Sequence, residues 1–260
     1  MKILALCKYV PESTALIKVK GDGIETAGVK YVMNPFCEFA VEEAIRTKEK
    51  IAGAEAAALT VGPAAHVEVL RTALAMGVDA AIHVCDDAFN GLDEIAIARV
   101  IARAVAARKF DIIFAGKHAI DYDSGQLGPA LAESLDLPHV GAVQGIQWAD
   151  DHKSLTARRR IEGAEEVVEV RLPCLITCEK GLNEARYPSL PRLMKAKKAP
   201  VETLNAAGLG LSAAELGAPA TRMVEFTPPP PRPPGRMLEG EPADVARELA
   251  RILRDVEKLV

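Results

Sequence analysis

No uninterrupted apolar run in this 260-residue chain approaches the ~20 residues that a membrane-spanning helix needs, so membrane insertion is not expected. A secretory leader is not expected either: Met1-Lys2 passes straight into a short apolar strand, too brief for a signal-peptide core, and a cytoplasmic location is expected. Excess positive charge is lacking. A net charge of −4 with acids and bases interspersed leaves no electrostatic footprint for nucleic acid. The phosphate loop GxxxxGK(S/T) is absent, although Gly116-Lys117 superficially matches its end. Histidines are few and scattered, and they suggest no metal-ligand set. The cysteines are an odd number, five, spread through apolar segments as reduced, buried thiols are. Cys174 and Cys178 lie on one face of the strand-like LPCLITCE, about 13 Å apart by strand rise, too far for a disulfide or a shared metal. No tandem repeat is visible.

What the chain does have is alternation of strand and helix. Ile3 to Cys7, Ala56 to Thr60, Ala80 to Val84 and Asp111 to Ala115 read as short buried strands. Between them lie helical patterns: one opened by Asn34 as cap and Pro35 in its first turn, with Phe36, Phe39, Ala40 and Ile45 on one face; one with Val67, Leu70, Leu74 and Ala75, ended by Gly77; and one from Leu92 to Ala107. A hairpin is expected to turn at Gly21 to Gly23. Such an order implies an α/β, doubly wound, mainly parallel sheet with helices on both faces and right-handed crossovers. After Gly141 the segments Ile146 to Trp148, Ser154 to Arg160 and Glu166 to Val170 read as an antiparallel edge before the LPCLIT strand. Residues 1–200 are expected to form this domain. Residues 201–260 are expected to form an arm, with TPPPPRPPG too rich in proline for helix or sheet and an amphipathic helix from Pro242 to Leu259 behind it. That helix would fold back or dock on a partner.

The most informative stretch is DIIFAGKHAIDYDSGQLG, Asp111 to Gly128. A strand leaves at Gly116, a polar turn follows through Asp121, Asp123 and Ser124, and Gly125 opens a helical run through Leu127, Leu131 and Leu135. A polar loop between a strand's carboxyl end and a helix's amino end is where open α/β sheets bind anionic ligands. Phosphate or nucleotide binding is the first expectation. Asp121 and Asp123 would in principle serve as a metal or acid–base pair, but turn formation explains such aspartates in most loops. His118 has no recognisable nucleophile nearby. Arg158-Arg159-Arg160 and Lys195, Lys197 and Lys198 are solvated faces or, alternatively, contacts for an acidic partner or phosphate. Tyr187, Leu190, Leu193 and Met194, set among prolines and charges, suit either transient docking or packing on their own domain.

Four motifs in order, MNPFCEFAVEEAIRTKEK (Met33 to Lys50), LRTALAMGVDAAI (Leu70 to Ile82), GKHAIDYDSGQLG (Gly116 to Gly128) and LNEARYPSLPRLMKAKK (Leu182 to Lys198), resemble the β subunit of electron transfer flavoproteins. Arg159, Glu162, Gly163, Glu166 and Leu172-Pro173 fit the same pattern, and Ala164 departs from it. The resemblance implies a heterodimer: an α subunit would hold most of a redox FAD, while this chain would form a wall of the flavin site and bind AMP. Carried over by motif, the nucleotide site would use Leu6, Asn34, Val61, Gly116, Asp121, Asp123, Ser124, Gly125, Gln126, Leu127 and Gly128. Tyr187, Leu190 and Met194 would dock dehydrogenases and other redox partners, soluble or membrane-associated, with Leu190 as anchor; the arm would embrace α. The implied role is an electron carrier, not an enzyme on its own. KYVPEST (Lys8 to Thr14), SGQLGP and LEGEPADVARELARIL resemble instead the electron-bifurcating branch of the family, in which a second FAD replaces AMP, whereas Tyr122 stands where that branch usually has glycine. The rival readings are a stand-alone module that binds or hydrolyses ATP and a hydrolase using Asp121 and Asp123.

Overall fold

The computed structural model describes residues 1–21, 23–212, 219–232 and 234–260. Asp22 of the expected hairpin turn, residues 213–218 of the arm and Pro233 of the proline run lie outside the described residues.

The first strand, β1 (Lys2–Leu6), faces two cores. Ile3 and Ala5 enter one apolar cluster, Leu4 and Leu6 the other, the period-two pattern of a strand covered on both sides. A hairpin-like excursion follows: β2 (Tyr9–Pro11), β3 (Val19–Lys20), β4 (Gly23–Ile24) and β5 (Tyr31–Met33), with β2 paired to β5 and β3 to β4. Next come α1 (Pro35–Lys50), β6 (Glu55–Val61), α2 (Val67–Met76), β7 (Ala80–Val84), α3 (Glu94–Val105), β8 (Ile112–Gly116) and α4 (Leu127–Ser134). The chain then forms β9 (His139–Trp148), β10 (Ser154–Ile161), β11 (Ala164–Arg171), β12 (Cys174–Cys178), α5 (Leu190–Lys198), β13 (Glu202–Leu204) and α6 (Pro242–Arg251).

The main sheet runs β11-β10-β9-β12-β8-β1-β6-β7-β13. Pairings from β9–β12 through β7–β13 are parallel, and β9, β10 and β11 form the antiparallel edge. The doubly wound α/β architecture is therefore as expected. Helices α1 and α2 bury Ala40, Val41, Ala44, Ile45 and Leu70 on one face; α3 and α4 bury Ala98, Ile101, Val105 and Leu131 on the other. Each of the buried Val, Leu and Ile side chains among them contributes on the order of 1.5–3 kcal/mol. Winding runs outward from β1 through β6 and β7, then returns to β8 and β12 on the opposite side. The reversal lies between β1 and β8.

Some segments differ from the reading of the sequence. The edge strand β9 starts at His139, well before Ile146, because its first half is broken by Ala142 at φ 56° and a register shift against β12, which erase the alternation. A short parallel strand, β13, lies past residue 200, and Ala206, Leu209 and Leu211 pack beneath the sheet with it. The carboxy-terminal helix ends at Arg251 and continues as a π-turn over Ile252–Val256. None of its residues is buried, so its stripe of Val245, Leu249, Ile252 and Leu253 meets no core of this chain among the described residues. All five cysteines are free; Cys7, Cys37, Cys174 and Cys178 are buried as expected, whereas Cys85, just past the end of β7, is only half-buried. Burial pushes the Cys174 thiol up to about 12 and Cys7 and Cys178 well above their ordinary value. Among the described residues no helix is long and apolar enough to cross a membrane.

Candidate functional site at the switch point

Strands β1, β6 and β8 end side by side. Cys7 donates its backbone N–H to Leu59 O at 2.8 Å, and Thr60 Oγ1 donates to Cys7 O at 2.8 Å, which fixes the first two loops against each other. The loops leaving these strands, together with Phe89 to Glu94 before α3, enclose a cleft of about 530 Å³. It opens at the carboxyl edge where the winding reverses, the ligand position of open α/β sheets.

The loop from Gly116 to Gln126 is held from several sides. A Cβ on Gly116 would lie 2.9 Å from the backbone carbon of Phe36 and 3.0 Å from Cys37 N, so glycine lets α1 approach β8. Buried Asn34 was expected to cap α1 but makes no side-chain cap. Its Nδ2 donates to His118 O at 2.8 Å and its Oδ1 accepts from Ile120 N–H at 3.2 Å. Proline in the first turn lessens the need for a cap, and the amide serves the loop instead. Asp123 and Gly125 take positive φ of 53° and 63°, turning the chain into α4. Lys117 Nζ pairs with Glu179 at 2.6 Å, and Lys8 Nζ reaches Asp121 at 2.9 Å and lies 4.6 Å from the Tyr122 ring centroid.

At the amino end of α4 a carboxylate is already in place. Glu94 Oε2 accepts from Gln126 N–H at 3.0 Å and from the Ser124 hydroxyl. These donors and the helix dipole suit an anion, and a side chain of the protein meets them. His66, whose Nδ1 is 3.1 Å from Val61 O, is pushed down by burial and stays neutral at neutral pH.

Of the residues singled out from sequence, Leu6, Asn34, Val61, Gly116, Ser124, Gly125, Gln126 and Leu127 line the cleft. Asp121, Asp123 and Gly128 are outside its lining. Asp121 and Asp123 turn to Lys8 and His118, the latter with Nε2 3.3 Å from Asp123 Oδ1, while Gly128 packs on Thr177, where a Cβ would lie 2.3 Å from Cγ2. Among the described residues no group of three His, Cys, Asp or Glu is placed to hold a metal. The sequence reading missed Pro63, His66, the Phe89 to Glu94 wall and Thr221 to Met223. Phe89 to Glu94 follows a strand's carboxyl end, which was a usable signal; the arm segment had none.

A second surface lies on the α1 side. Arg186 Nε donates to Glu42 Oε2 at 2.8 Å and its Nη1 to Glu49 Oε1 at 2.6 Å, while Asn183 Nδ2 donates to Glu43 at 2.9 Å. Arg71 donates to Ala196 O at 2.8 Å and to Ala199 O, tying α5 to α2. On this braced segment Tyr187, Leu190 and Met194 are 98%, 73% and 53% exposed. Lys195, Lys197 and Lys198 occupy the last turn of α5, where they complement its dipole, and Arg158 and Arg159 face Glu165 and Glu166 across β10 and β11.

Fold and cleft together define a doubly wound α/β protein with a cleft at its switch point. The family model for the electron transfer flavoprotein domain matches residues 23–209. The chain is 38% identical over 261 residues to electron transfer flavoprotein subunit beta of Bacillus subtilis, covering 100% of both chains. It is 38% identical over 258 residues to that of Bos taurus, covering 97% of this chain and 99% of the relative. The mitochondrial subunit beta of Oryza sativa subsp. japonica is 37% identical over 259 residues, with 97% and 100% covered. The chain belongs to the electron transfer flavoprotein β-subunit family.

Proposed function

We propose that this chain is the β subunit of a heterodimeric electron transfer flavoprotein: it forms one wall of an FAD site held mainly by an α-type partner, binds AMP in its switch-point cleft, and docks redox partners through Tyr187, Leu190 and Met194. The observation that carries the nucleotide part is the Glu94 carboxylate on the Ser124 and Gln126 donors, which marks an anion position inside a cleft of nucleotide dimensions. FAD, when bound, supplies the electron-accepting and electron-donating chemistry. The residues of this chain bind and orient: Asn34 fixes the loop, the Ser124 and Gln126 donors that now hold Glu94 would take the phosphate in its place, and the aliphatic Leu6, Leu59 and Ile97 line the remaining wall.

The unpartnered stripe of α6 supports a partner chain, since an amphipathic helix with no core contact is stable only against something else. This favours the heterodimer over a stand-alone ATP module. A second reading, an electron-bifurcating subunit with a second FAD in place of AMP, is disfavoured by Tyr122, a residue of the cleft lining where a glycine would leave more room.

Co-expression with an α-type subunit tests the assembly. The full chain should elute with it as a 1:1 complex, and a chain ending at residue 238 should remain folded but elute alone. Failure of the full chain to associate, or equal assembly of the shortened one, would overturn the assignment of α6 to the partner.

A further inference from the structure

The arm comes back to the cleft. Although residues 219–232 and 234–240 form no regular element, Thr221, Arg222 and Met223 belong to the lining. Asp93 holds them there. Its Oδ1 accepts from Ala96 N–H at 2.9 Å, capping α3, while its Oδ2 accepts from Thr221 N–H at 2.8 Å and from the Thr221 hydroxyl at 3.3 Å. A single carboxylate thereby joins the start of a core helix to a segment 128 residues further along.

The charges around the cleft are unequally committed. Lys8 is paired with Asp121, Lys117 with Glu179, and His118 faces Asp123. Arg222 alone among the lysines and arginines of the lining has no hydrogen bond or ion pair among the described residues. On the acid side, Glu94 is bound to Ser124 and Gln126, and Asp93 to Ala96 and Thr221. A planar guanidinium is suited to two-point contact with a phosphate, and one held at the rim by a neighbouring anchor needs little further ordering to make it.

We propose that Arg222 is a phosphate-binding residue of the cleft, delivered by the arm, so that bound nucleotide and the seated arm segment stabilise each other. This rests on the nucleotide reading given under Proposed function. Because linkage is reciprocal, whatever seats residues 221–223 tightens nucleotide binding by the same factor by which the nucleotide favours the seated segment.

The test uses heterodimers co-expressed with an α-type subunit and carrying Arg222→Lys, Arg222→Gln or Arg222→Glu. Exchange of bound adenine nucleotide for labelled AMP is followed, with assembly checked by size exclusion. Loss of a charge-assisted contact should speed exchange about ten-fold or more for Gln, and further for Glu, while Lys, which keeps the charge but loses the two-point contact, falls between wild type and Gln. Added salt should speed exchange in the wild type more than in the Gln variant. Equal rates across the four complexes would overturn the role of Arg222 and leave the nucleotide reading standing. A wild-type complex that neither retains nor takes up adenine nucleotide would overturn that reading, and this inference with it.

Discussion

The side-chain amide of Asn34 brackets Ala119: Nδ2 donates to the carbonyl of His118 and Oδ1 accepts from the N–H of Ile120, so one buried residue before α1 sets the path of the loop after β8. Neither backbone group has another hydrogen-bond partner among the described residues. Asn34→Ala should therefore cost about 1–3 kcal/mol, since it leaves both without a partner. Asn34→Asp should lose the donor to His118 O. Chemical denaturation of the purified subunit measures the first effect, and faster nucleotide release from the assembled protein should accompany both.

Gly116 is placed where α1 crosses the end of β8. An added Cβ would press on the backbone of Phe36 and Cys37, which cannot rotate away as a side-chain end would. Gly116→Ala is expected to destabilise by about 1–3 kcal/mol and to open the cleft at Asn34. Denaturation midpoints compared with an Ala substitution at the exposed Gly235, where an added Cβ would meet nothing within 4 Å, give the check.

Arg186 and Glu42 give the braced loop a pH signature. Burial alone would raise Glu42, but hydrogen bonds from Arg186 and Arg46 hold its carboxyl below the ordinary value of 4.5. Its contribution is thus fully present above the unfolded-state value and is lost as pH falls through the lower folded-state value. At neutral pH Arg186→Met should destabilise by about 2 kcal/mol, less than the break of a fully buried pair because Arg186 is partly exposed. The deficit should shrink as the pH is taken below about 4. Unfolding free energies of both proteins over that range decide it; a deficit independent of pH would remove the ion pair as its cause.

Leu190 projects from the first turn of α5 and is mostly exposed. Leu190→Ala should change stability by no more than about 0.5 kcal/mol and leave nucleotide content unchanged. Electron transfer from a partner dehydrogenase should slow through weaker docking, read as a raised KM for the flavoprotein. Unaltered steady-state kinetics would remove Leu190 from the docking surface.

Strands such as β1, β7 and β8 were legible because buried parallel strands concentrate apolar residues in runs of about five, and α1 to α4 because glycine, proline and aspartate punctuate them. The loop after β8 was legible as a site for the same reason. Other features depend on distance in sequence. Asn34 carries a capping residue's identity but serves a loop 84 residues away, Asp121 and Asp123 face Lys8 and His118 instead of the cleft, and Thr221 reaches the rim only through Asp93. β13 is three residues long, too short for any periodicity to show. Local pattern specifies elements, whereas these contacts are decided by which loops the sheet order brings together.

The most direct measurement is a nucleotide count. The chain is co-expressed with an α-type subunit, the purified complex is denatured, and released nucleotides are quantified chromatographically. One FAD and one AMP per heterodimer is the expected result; two FAD and no AMP would replace AMP with a second flavin in this cleft. Absence of both, with reversible ATP binding by the lone chain, would contradict the account.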